Sequence, residues 1–304
     1  MINTKFQEKN MFNRLVVGIM DGDGKLGPFQ PYDEFQNGPK NLEIISYLNG
    51  QKLFDILYDE LGYIRYEDNK FALKYIFQNN LHNSAMTLLG KVAEAVIVRR
   101  SNSNIEINKK WLSLARKKNA KTKTAEKFHA IGTGLLSTQQ SYPTKYNPTN
   151  PQRDIIWINN DGQTALTKGS SATAGLEAGL QVKVSKNGYA YFFNALFNVR
   201  YEIPVVYFDI SNDFDYVAQE LYRSKLFSEN KIIIGEDFIK ASAVDFEADQ
   251  EVRLYVELIE ALVAGRITPD YLINIAEHQP TPALQNAILS TSLSQINLTN
   301  IIQR

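Results

Sequence analysis

The sequence predicts an α/β fold, in which a mixed β-sheet core is flanked by helices and extra helical parts lie towards both ends of the chain. Residues 180–185 alternate apolar and polar side chains, which is the period of a strand with two different faces. The apolar runs at 154–158 and 204–210 indicate two more strands, and residues 249–265 have the spacing of an amphipathic helix. The order of helix, long loop, antiparallel strand pair, helix, strand and helix predicts an α/β core.

Each element follows from a local signal. Ser84 is a plausible N-cap for the helix that ends near Arg100. Strands are predicted at 13–20, 154–158, 178–185, 203–210 and 231–234. Helices are predicted at 40–61, 69–79, 84–100, 107–118, 188–199, 213–226 and 249–265, with one or two more within 268–293.

Three connecting segments have their own signals. Asn-Asn-Asp-Gly at 159–162 is typical of a tight turn between strands. Residues 170–175 read as a flexible connection. The polar segment 119–150 is long for a loop inside a domain, and loops of this length are usually functional or mobile. We predict three regions, namely an N-terminal accessory part at 1–80, an α/β core at 81–230 and a C-terminal helical region, packed on that core, at 231–304.

Composition restricts the possible chemistry. The 304 residues include no cysteine and three histidines, so thiolate sites are absent and a zinc site built on histidine is disfavoured. The formal net charge is zero, which on its own argues against a general polyanion binder. No apolar run is long enough to span a membrane, and we expect a cytoplasmic protein.

One polar pair stands out in a strand that otherwise reads as core. Gln181 and Lys183 are two residues apart, so their side chains point to the same face of the strand. Unpaired polar groups in a core are costly, and a metal-assisted phosphodiester site would give both residues a reason to be there. A solvated face of an antiparallel sheet is the structural alternative.

The chain resembles the PD-(D/E)xK nuclease superfamily, whose fold is called restriction-endonuclease-like. The likeness lies in a helix with Glu94, a strand with Asp154, and a strand with Gln181-Val-Lys183 that is followed by a helix and a strand. In that superfamily an acid ends one strand of a hairpin, and the next strand carries Glu-x-Lys or, in the branch resembling the Mrr nucleases, Gln-x-Lys. The likeness covers about residues 84–226.

The resemblance implies a role for each residue. Asp154 would supply the main metal-binding carboxylate, Gln181 a neutral carbonyl oxygen, and Glu94 a direct or water-mediated ligand of Mg²⁺ or Mn²⁺. Lys183 would orient the attacking water and stabilise negative charge. Glu177 and Asp161 are competing acids because the gap between Asp154 and Gln181 is long. Asp154 as a local cap and Glu94 as a surface ion pair are the structural alternatives.

A basic stretch is the candidate surface for the phosphate backbone of DNA, since such residues give salt-dependent affinity without reading sequence. An ordinary solvated helix and loop is the structural alternative. Its members are Lys109, Lys110, Arg116, Lys117, Lys118, Lys121 and Lys123.

These residues lead to a first hypothesis, a metal-dependent DNA endonuclease, working as a homodimer in restriction or phage defence. A nuclease-fold protein that has lost catalysis and binds nucleic acid is the first alternative, because a glutamine replaces the usual glutamate. A partner-dependent component of a defence complex is the second. An unrelated α/β fold with an accidental Gln-x-Lys is the third.

Overall fold

The computed structural model describes a subset of the chain, in which the residues form two compact units. One unit draws on residues 1–55, 64–74 and 254–304, and the other on residues 56–63 and 75–253. The described residues are 16–20, 26–31, 41–75, 80–168, 175–186, 193–194, 196, 198, 200–225 and 232–273.

The first unit contains two antiparallel strand pairs, a long helix and a 3₁₀ turn at Pro269–Leu272. Its elements in chain order are β1 (Val16–Met20), β2 (Leu26–Pro31), α1 (Leu42–Asp55), β3 (Ile64–Glu67) and β4 (Lys70–Leu73). A π-helical turn, Ile56–Glu60, follows α1 in the chain and belongs to the second unit.

The helix predicted at 69–79 is wrong, because residues 70–73 form a strand that pairs with β3. The two residues between the strands, Asp68 and Asn69, have φ angles of 53° and 61°. Two positive φ angles in a two-residue loop are the geometry that joins antiparallel strands without splaying them, and Asp and Asn tolerate it well.

Within this unit, α1 packs closely on the 3₁₀ turn. A Cβ built on Gly50 would lie 2.4 Å from the carbonyl oxygen of Leu272, so only glycine allows this approach. The Ser46 hydroxyl donates a hydrogen bond to the carbonyl of Tyr271 at 3.2 Å, and the rings of Phe54 and Phe71 meet edge to face at 4.9 Å.

The second unit holds a five-stranded mixed sheet and most of the helices. The sheet order is β5-β6-β7-β8-β9. The pairs β5–β6 and β6–β7 are antiparallel, and the pairs β7–β8 and β8–β9 are parallel. Its helices are α2 (Leu81–Ser103), α3 (Ile105–Ala115), α4 (Thr122–Lys127), α5 (Leu136–Ser141), α6 (Phe214–Lys225), α7 (Ala241–Val244) and α8 (Phe246–Val263, which continues into the other unit). Its strands are β5 (His129–Gly132), β6 (Ile155–Ile158), β7 (Gly179–Ser185), β8 (Val205–Asp209) and β9 (Phe238–Lys240).

Helices cover both faces of this sheet. The indole Nε1 of Trp157, on β6, donates to Asn108 Oδ1 of α3 at 2.7 Å, so α3 lies on the face to which Trp157 points. On β8, Val205 and Tyr207 pack with Phe214 and other apolar residues of α6. In the parallel register Val205 pairs with Gln181 and Tyr207 with Lys183, so α6 lies on the face that carries the polar pair.

Polar side chains bind the outer edge of β5 and the end of β8. The side chain of Asn102, on α2, donates to the carbonyl of Ala130 and accepts from its amide, both at 2.9 Å, along the free edge of β5. At the end of β8, buried Asp209 pairs with Arg253 at 2.9 Å and Lys240 at 3.3 Å, and Arg253 also pairs with Asp249 at 2.7 Å. Burial and the neighbouring Asp209 raise the pKa of Asp249, although Arg253 opposes the shift.

Most predicted elements of the core are confirmed, but four details are corrected. The helix around residues 84–100 begins at 81, because the side chain of Asn80 accepts from the amides of His82 and Asn83 and caps it. The segment 119–150 is not one long loop, since α4, β5 and α5 lie inside it. The strand predicted at 231–234 is found at 238–240, and within 268–293 the described residues form only the 3₁₀ turn.

Some predictions lie wholly or partly outside the described residues. They are the connection within 170–174, the first residues of the strand at 13–20, and the end of the chain from 274. In the helix predicted at 188–199, the described residues 193, 194 and 196 are helical.

The predicted fold class is confirmed at the level of a mixed α/β sheet flanked by helices. In the second unit, β9 extends the five-stranded sheet past residue 230. No helix in the described part of the chain is long and apolar enough to cross a membrane.

Candidate functional site

Asp154 lies one residue before β6 and extends its pairing. Its amide donates to the carbonyl of Leu180 at 2.9 Å, and its carbonyl accepts from the amide of Thr133 at 2.8 Å. Ile155 pairs with Leu180, so Asp154 lies opposite Gln181 on the neighbouring strand. Opposed residues on antiparallel strands share a face of the sheet, and the backbone therefore brings these two side chains together.

The carboxylate of Asp154 is held from the β7 side. The side-chain Nε2 of Gln181 donates to Asp154 Oδ2, and the backbone amide of Val182 donates to the same oxygen at 2.8 Å. Asp154 is 6% exposed and Gln181 is 5% exposed. Two donors to one buried oxygen fix the orientation of the carboxylate and leave Oδ1 facing away from β7.

The other end of the Gln181 amide is unusual. Its Oε1 atom is fully buried and has no hydrogen-bond partner among the described residues. A buried acceptor without a donor costs about 1–3 kcal/mol, and such an atom requires an explanation such as a missing water or ion. Nε2 of the same amide donates to Asp154, so the unpaired oxygen belongs to a group that is in contact with the Asp154 carboxylate.

Lys183 follows two residues later and lies on the same face of β7 as Gln181. It is half-buried, and its Nζ makes no hydrogen bond or ion pair with any residue that the structure describes. The ammonium lies 5.5 Å from the centre of the Tyr201 ring. Its charge is close enough to Glu94 to oppose the rise in the pKa of that carboxyl.

Glu94 comes to the site from α2 and is 3% exposed. Both of its carboxylate oxygens accept from Lys91 Nζ, at 2.7 and 3.0 Å. Burial and the nearby Asp154 raise the pKa of Glu94 well above its ordinary value, and Lys91 and Lys183 offset only part of this. Glu94 therefore takes up a proton more readily than an exposed glutamate.

The sequence-based hypothesis allows an ion pair for Glu94 but gives its partner, Lys91, no place in the site, and the structure shows that this pair is buried. Lys91 Nζ lies 3.7 Å from Asp154 Oδ1 as well as against Glu94, so one ammonium bridges the two carboxylates. Burial by itself would lower the pKa of Lys91, but the attraction of Glu94 and Asp154 raises it above its ordinary value. Its position three residues before Glu94 on one helix face was the available signal.

Two tyrosines lie in the electrostatic range of this bridge. Their rings, Tyr63 and Tyr75, are 5.0 Å apart at an angle of 60°. Burial raises the pKa of Tyr75 to about 12, and burial also raises the pKa of Tyr63. Both hydroxyls therefore stay protonated at neutral pH.

The two competing acids lie elsewhere. Glu177 Oε1 accepts from Lys145 Nζ and from the Thr164 hydroxyl, both at 2.8 Å, and the bond from Lys145 holds the pKa of Glu177 below its usual range. Asp161 belongs to the turn after β6, where its Oδ2 accepts from Asn159 at 3.4 Å. Neither acid contacts Asp154 or Gln181 among the described contacts.

The predicted DNA-binding residues have varied surroundings. Lys109 pairs with Glu106 at 3.2 Å and Lys117 with Asp237 at 2.6 Å, while Lys110 and Arg116 donate to backbone carbonyls at 3.4 Å. The side chains exposed to solvent without such partners are Lys118, Lys121 and Lys123.

The predicted DNA-binding surface and the carboxylate site also differ in position on the sheet. Helix α3 packs against Trp157, which lies three positions after Asp154 in the extended chain, so the two side chains point to opposite faces of the sheet.

The oxygen atoms that the side chains of the carboxylate site offer suit a hard divalent cation. Asp154, Glu94 and the free Oε1 of Gln181 offer oxygen atoms only, which Mg²⁺ and Mn²⁺ prefer. Within the described residues, no three His, Cys, Asp or Glu side chains come together as a metal site, so the set depends on the amide oxygen. The orphaned atom is the observation that makes this set fit a cation.

No protein-family model, curated protein or solved structure matches this chain.

Proposed function

We propose that this chain is a metal-dependent DNA endonuclease that hydrolyses phosphodiester bonds. One observation carries the proposal. Asp154, Gln181 and Lys183 share one face of two adjacent strands, and the Gln181 amide that contacts the Asp154 carboxylate has a buried oxygen with no partner among the described residues. Carboxylate, carbonyl and ammonium groups are the set that a metal-assisted phosphodiester site requires.

The order of elements supports the same proposal. A helix with Glu94 precedes three antiparallel strands, and a parallel strand follows after helical residues near 193–196. Asp154 lies at the start of the middle strand, and Gln181 and Lys183 lie on the third. This is the arrangement that the resemblance to the restriction-endonuclease-like fold implies, and we propose that fold for the sheet.

In this proposal each side chain has a distinct task. Asp154 and Gln181 would hold Mg²⁺ or Mn²⁺, and Glu94 would join them directly or through water. Such an ion lowers the pKa of a bound water and stabilises charge on a phosphate oxygen. The ammonium of Lys183 is unpaired with any described acid, so it is available to orient the attacking water and to stabilise negative charge beside it.

A second candidate is a catalytically weak or inactive nuclease-fold protein that binds nucleic acid or serves a partner in a defence complex. Two observations favour it. The ammonium of Lys91 bridges Glu94 and Asp154, where a metal would need those oxygens. A neutral amide also stands where the superfamily usually has a third acid.

Plasmid cleavage in Mg²⁺ separates these candidates. The endonuclease should nick or cut the plasmid, and Asp154→Asn and Lys183→Met should reduce the rate by at least about a hundredfold because each removes a group acting in the transition state. Lys145→Met, a lysine of the Glu177 cluster, is the matched control and should cleave normally.

Cleavage by Asp154→Asn and Lys183→Met at the unmutated rate would remove the proposal. An unmutated chain that is inactive alone but binds DNA favours the second candidate, and recovery of cleavage in cell lysate favours a required partner. The homodimer and the defence role are proposals at the same level, and sedimentation of the unmutated chain with and without DNA tests the first.

A further inference from the structure

The ion pair between Lys91 and Glu94 is largely shielded from solvent. The Glu94 side chain is 4% exposed and the Lys91 side chain 19% exposed, and all three short contacts of the ammonium are with the two carboxylates. Desolvated pairs of this kind are strong only when the geometry is good, and removing one partner leaves a costly buried charge.

The cluster contains enough positive charge without a metal. Lys91 and Lys183 supply two positive charges, and the carboxyls of Glu94 and Asp154 carry at most two negative charges. A divalent cation added to this set leaves an excess of at least two positive charges in a poorly solvated place. Phosphate groups of a nucleic acid carry the negative charge that would offset that excess.

The lysine and a metal also compete for the same atoms. Both oxygens of Glu94 accept hydrogen bonds from Lys91 Nζ, so Glu94 cannot bind a cation directly until that contact breaks. Asp154 Oδ1, the oxygen that β7 leaves free, faces the same ammonium.

From this geometry we propose that Lys91 is an internal counter-ion that competes with the divalent cation and makes metal uptake depend on nucleic acid. In the free protein Lys91 occupies the space between Glu94 and Asp154. When DNA binds, its phosphates favour release of the ammonium from the carboxylates, and the two oxygen-bearing side chains become available to the metal. This inference rests on the proposed function, because it assigns Mg²⁺ or Mn²⁺ and DNA to the same site.

The test measures Mn²⁺ binding rather than cleavage, from the electron paramagnetic resonance signal of free Mn²⁺, with and without a short DNA duplex. The unmutated protein should bind Mn²⁺ weakly alone and at least about tenfold more tightly with DNA, since the competing charge is then relieved. Lys91→Met should bind Mn²⁺ at least about tenfold more tightly than the unmutated protein without DNA, and should gain less from DNA.

Two matched variants define the cause. Lys91→Arg keeps the charge and should retain weak binding, whereas Lys145→Met removes a lysine outside the site and should change nothing. If Lys91→Met does not fold, because Glu94 loses its cation, Lys91→Gln still donates to Glu94 without a charge and should show the same tightening.

The outcomes separate this inference from the proposed function. If Lys91→Met and Lys91→Gln bind Mn²⁺ with the same affinity as the unmutated protein while Asp154→Asn loses binding, Lys91 is not a competing counter-ion. The metal site itself then stands. Absence of Mn²⁺ binding in every protein, with or without DNA, overturns both.

Discussion

The side-chain amide of Gln181 donates a hydrogen bond to the carboxylate of Asp154, across the junction of β6 and β7. The glutamine is therefore more than a weak substitute for glutamate. A neutral donor satisfies the buried aspartate when no cation is present, whereas a glutamate there would place two negative charges in contact.

The first prediction concerns this neutrality. Gln181→Glu should lower the melting temperature in the presence of EDTA, because two buried carboxylates repel each other. Added Mn²⁺ should raise the melting temperature of the variant more than that of the unmutated protein, since three acids then share one cation. Thermal melts with and without Mn²⁺ provide the measurement.

Gln139→Glu, at an exposed position of α5, is the control for added charge. If Gln181→Glu responds to Mn²⁺ no more than this control does, residue 181 does not face a cation site.

The second prediction uses two glycines. A Cβ at Gly179 would lie 2.7 Å from the carbonyl oxygen of Ile155, which belongs to the backbone and cannot move aside cheaply. Gly179→Ala should destabilise the protein by about 1–3 kcal/mol by forcing β6 and β7 apart. Gly90, inside α2, has nothing within 4 Å of its built Cβ, so Gly90→Ala should stabilise by about 0.5–1 kcal/mol.

Chemical denaturation measures both changes. Changes of opposite sign in the free energy of unfolding would support the register of β6 against β7. If Gly179→Ala leaves that free energy unchanged, the position of Asp154 opposite Gln181 is wrong.

The third prediction concerns the acid cluster at the end of β8. Arg253 pairs with Asp209 and Asp249, which are both buried, so Arg253→Met should cost about 3–5 kcal/mol by leaving two charges poorly compensated. Arg223→Met breaks an exposed pair with Glu220 and should cost less than about 1 kcal/mol. Urea unfolding of the two variants gives the comparison, and equal losses would contradict the prediction.

The fourth prediction concerns pH. The bond from Lys145 lowers the pKa of Glu177 in the folded state, so this pair stabilises the fold above the ordinary glutamate pKa. The stabilisation is lost as the pH falls through the lowered value. Lys145→Met should raise the Glu177 pKa towards its ordinary value, and the variant should therefore lose less stability as the pH falls.

Titration of the Glu177 carboxyl by NMR checks the pKa, with Lys109→Met as a control on an unrelated exposed pair. An unchanged pKa in Lys145→Met would show that Lys145 is not the cause of the shift.

The core strands could be predicted because their pattern is local. Apolar alternation marks β7, and continuous apolar runs mark β6 and β8, which are buried along their full lengths. The polar pair on β7 could be found for the same reason, since Gln181 and Lys183 interrupt that pattern at a spacing of two.

Other features depend on contacts that no local pattern records. His129–Gly132 becomes a strand because it pairs with β6 and because Asn102 holds its outer edge. The loop of Asp68 and Asn69 reverses the chain through two positive φ angles, where the neighbouring apolar residues suggested a helix. The role of Lys91 depends on Asp154, a residue distant in sequence whose Oδ1 lies 3.7 Å from Lys91 Nζ.

The two hydrogen bonds between the Asn102 side chain and the backbone of Ala130 affect how copies of this chain can associate. A bare outer strand offers amides and carbonyls that recruit a strand from another molecule. At Ala130, in the middle of β5, both groups are already taken by one side chain. Two copies that joined through a continuous ten-stranded sheet at this edge would first have to detach Asn102, so the hydrogen bonds of Asn102 oppose association through β5.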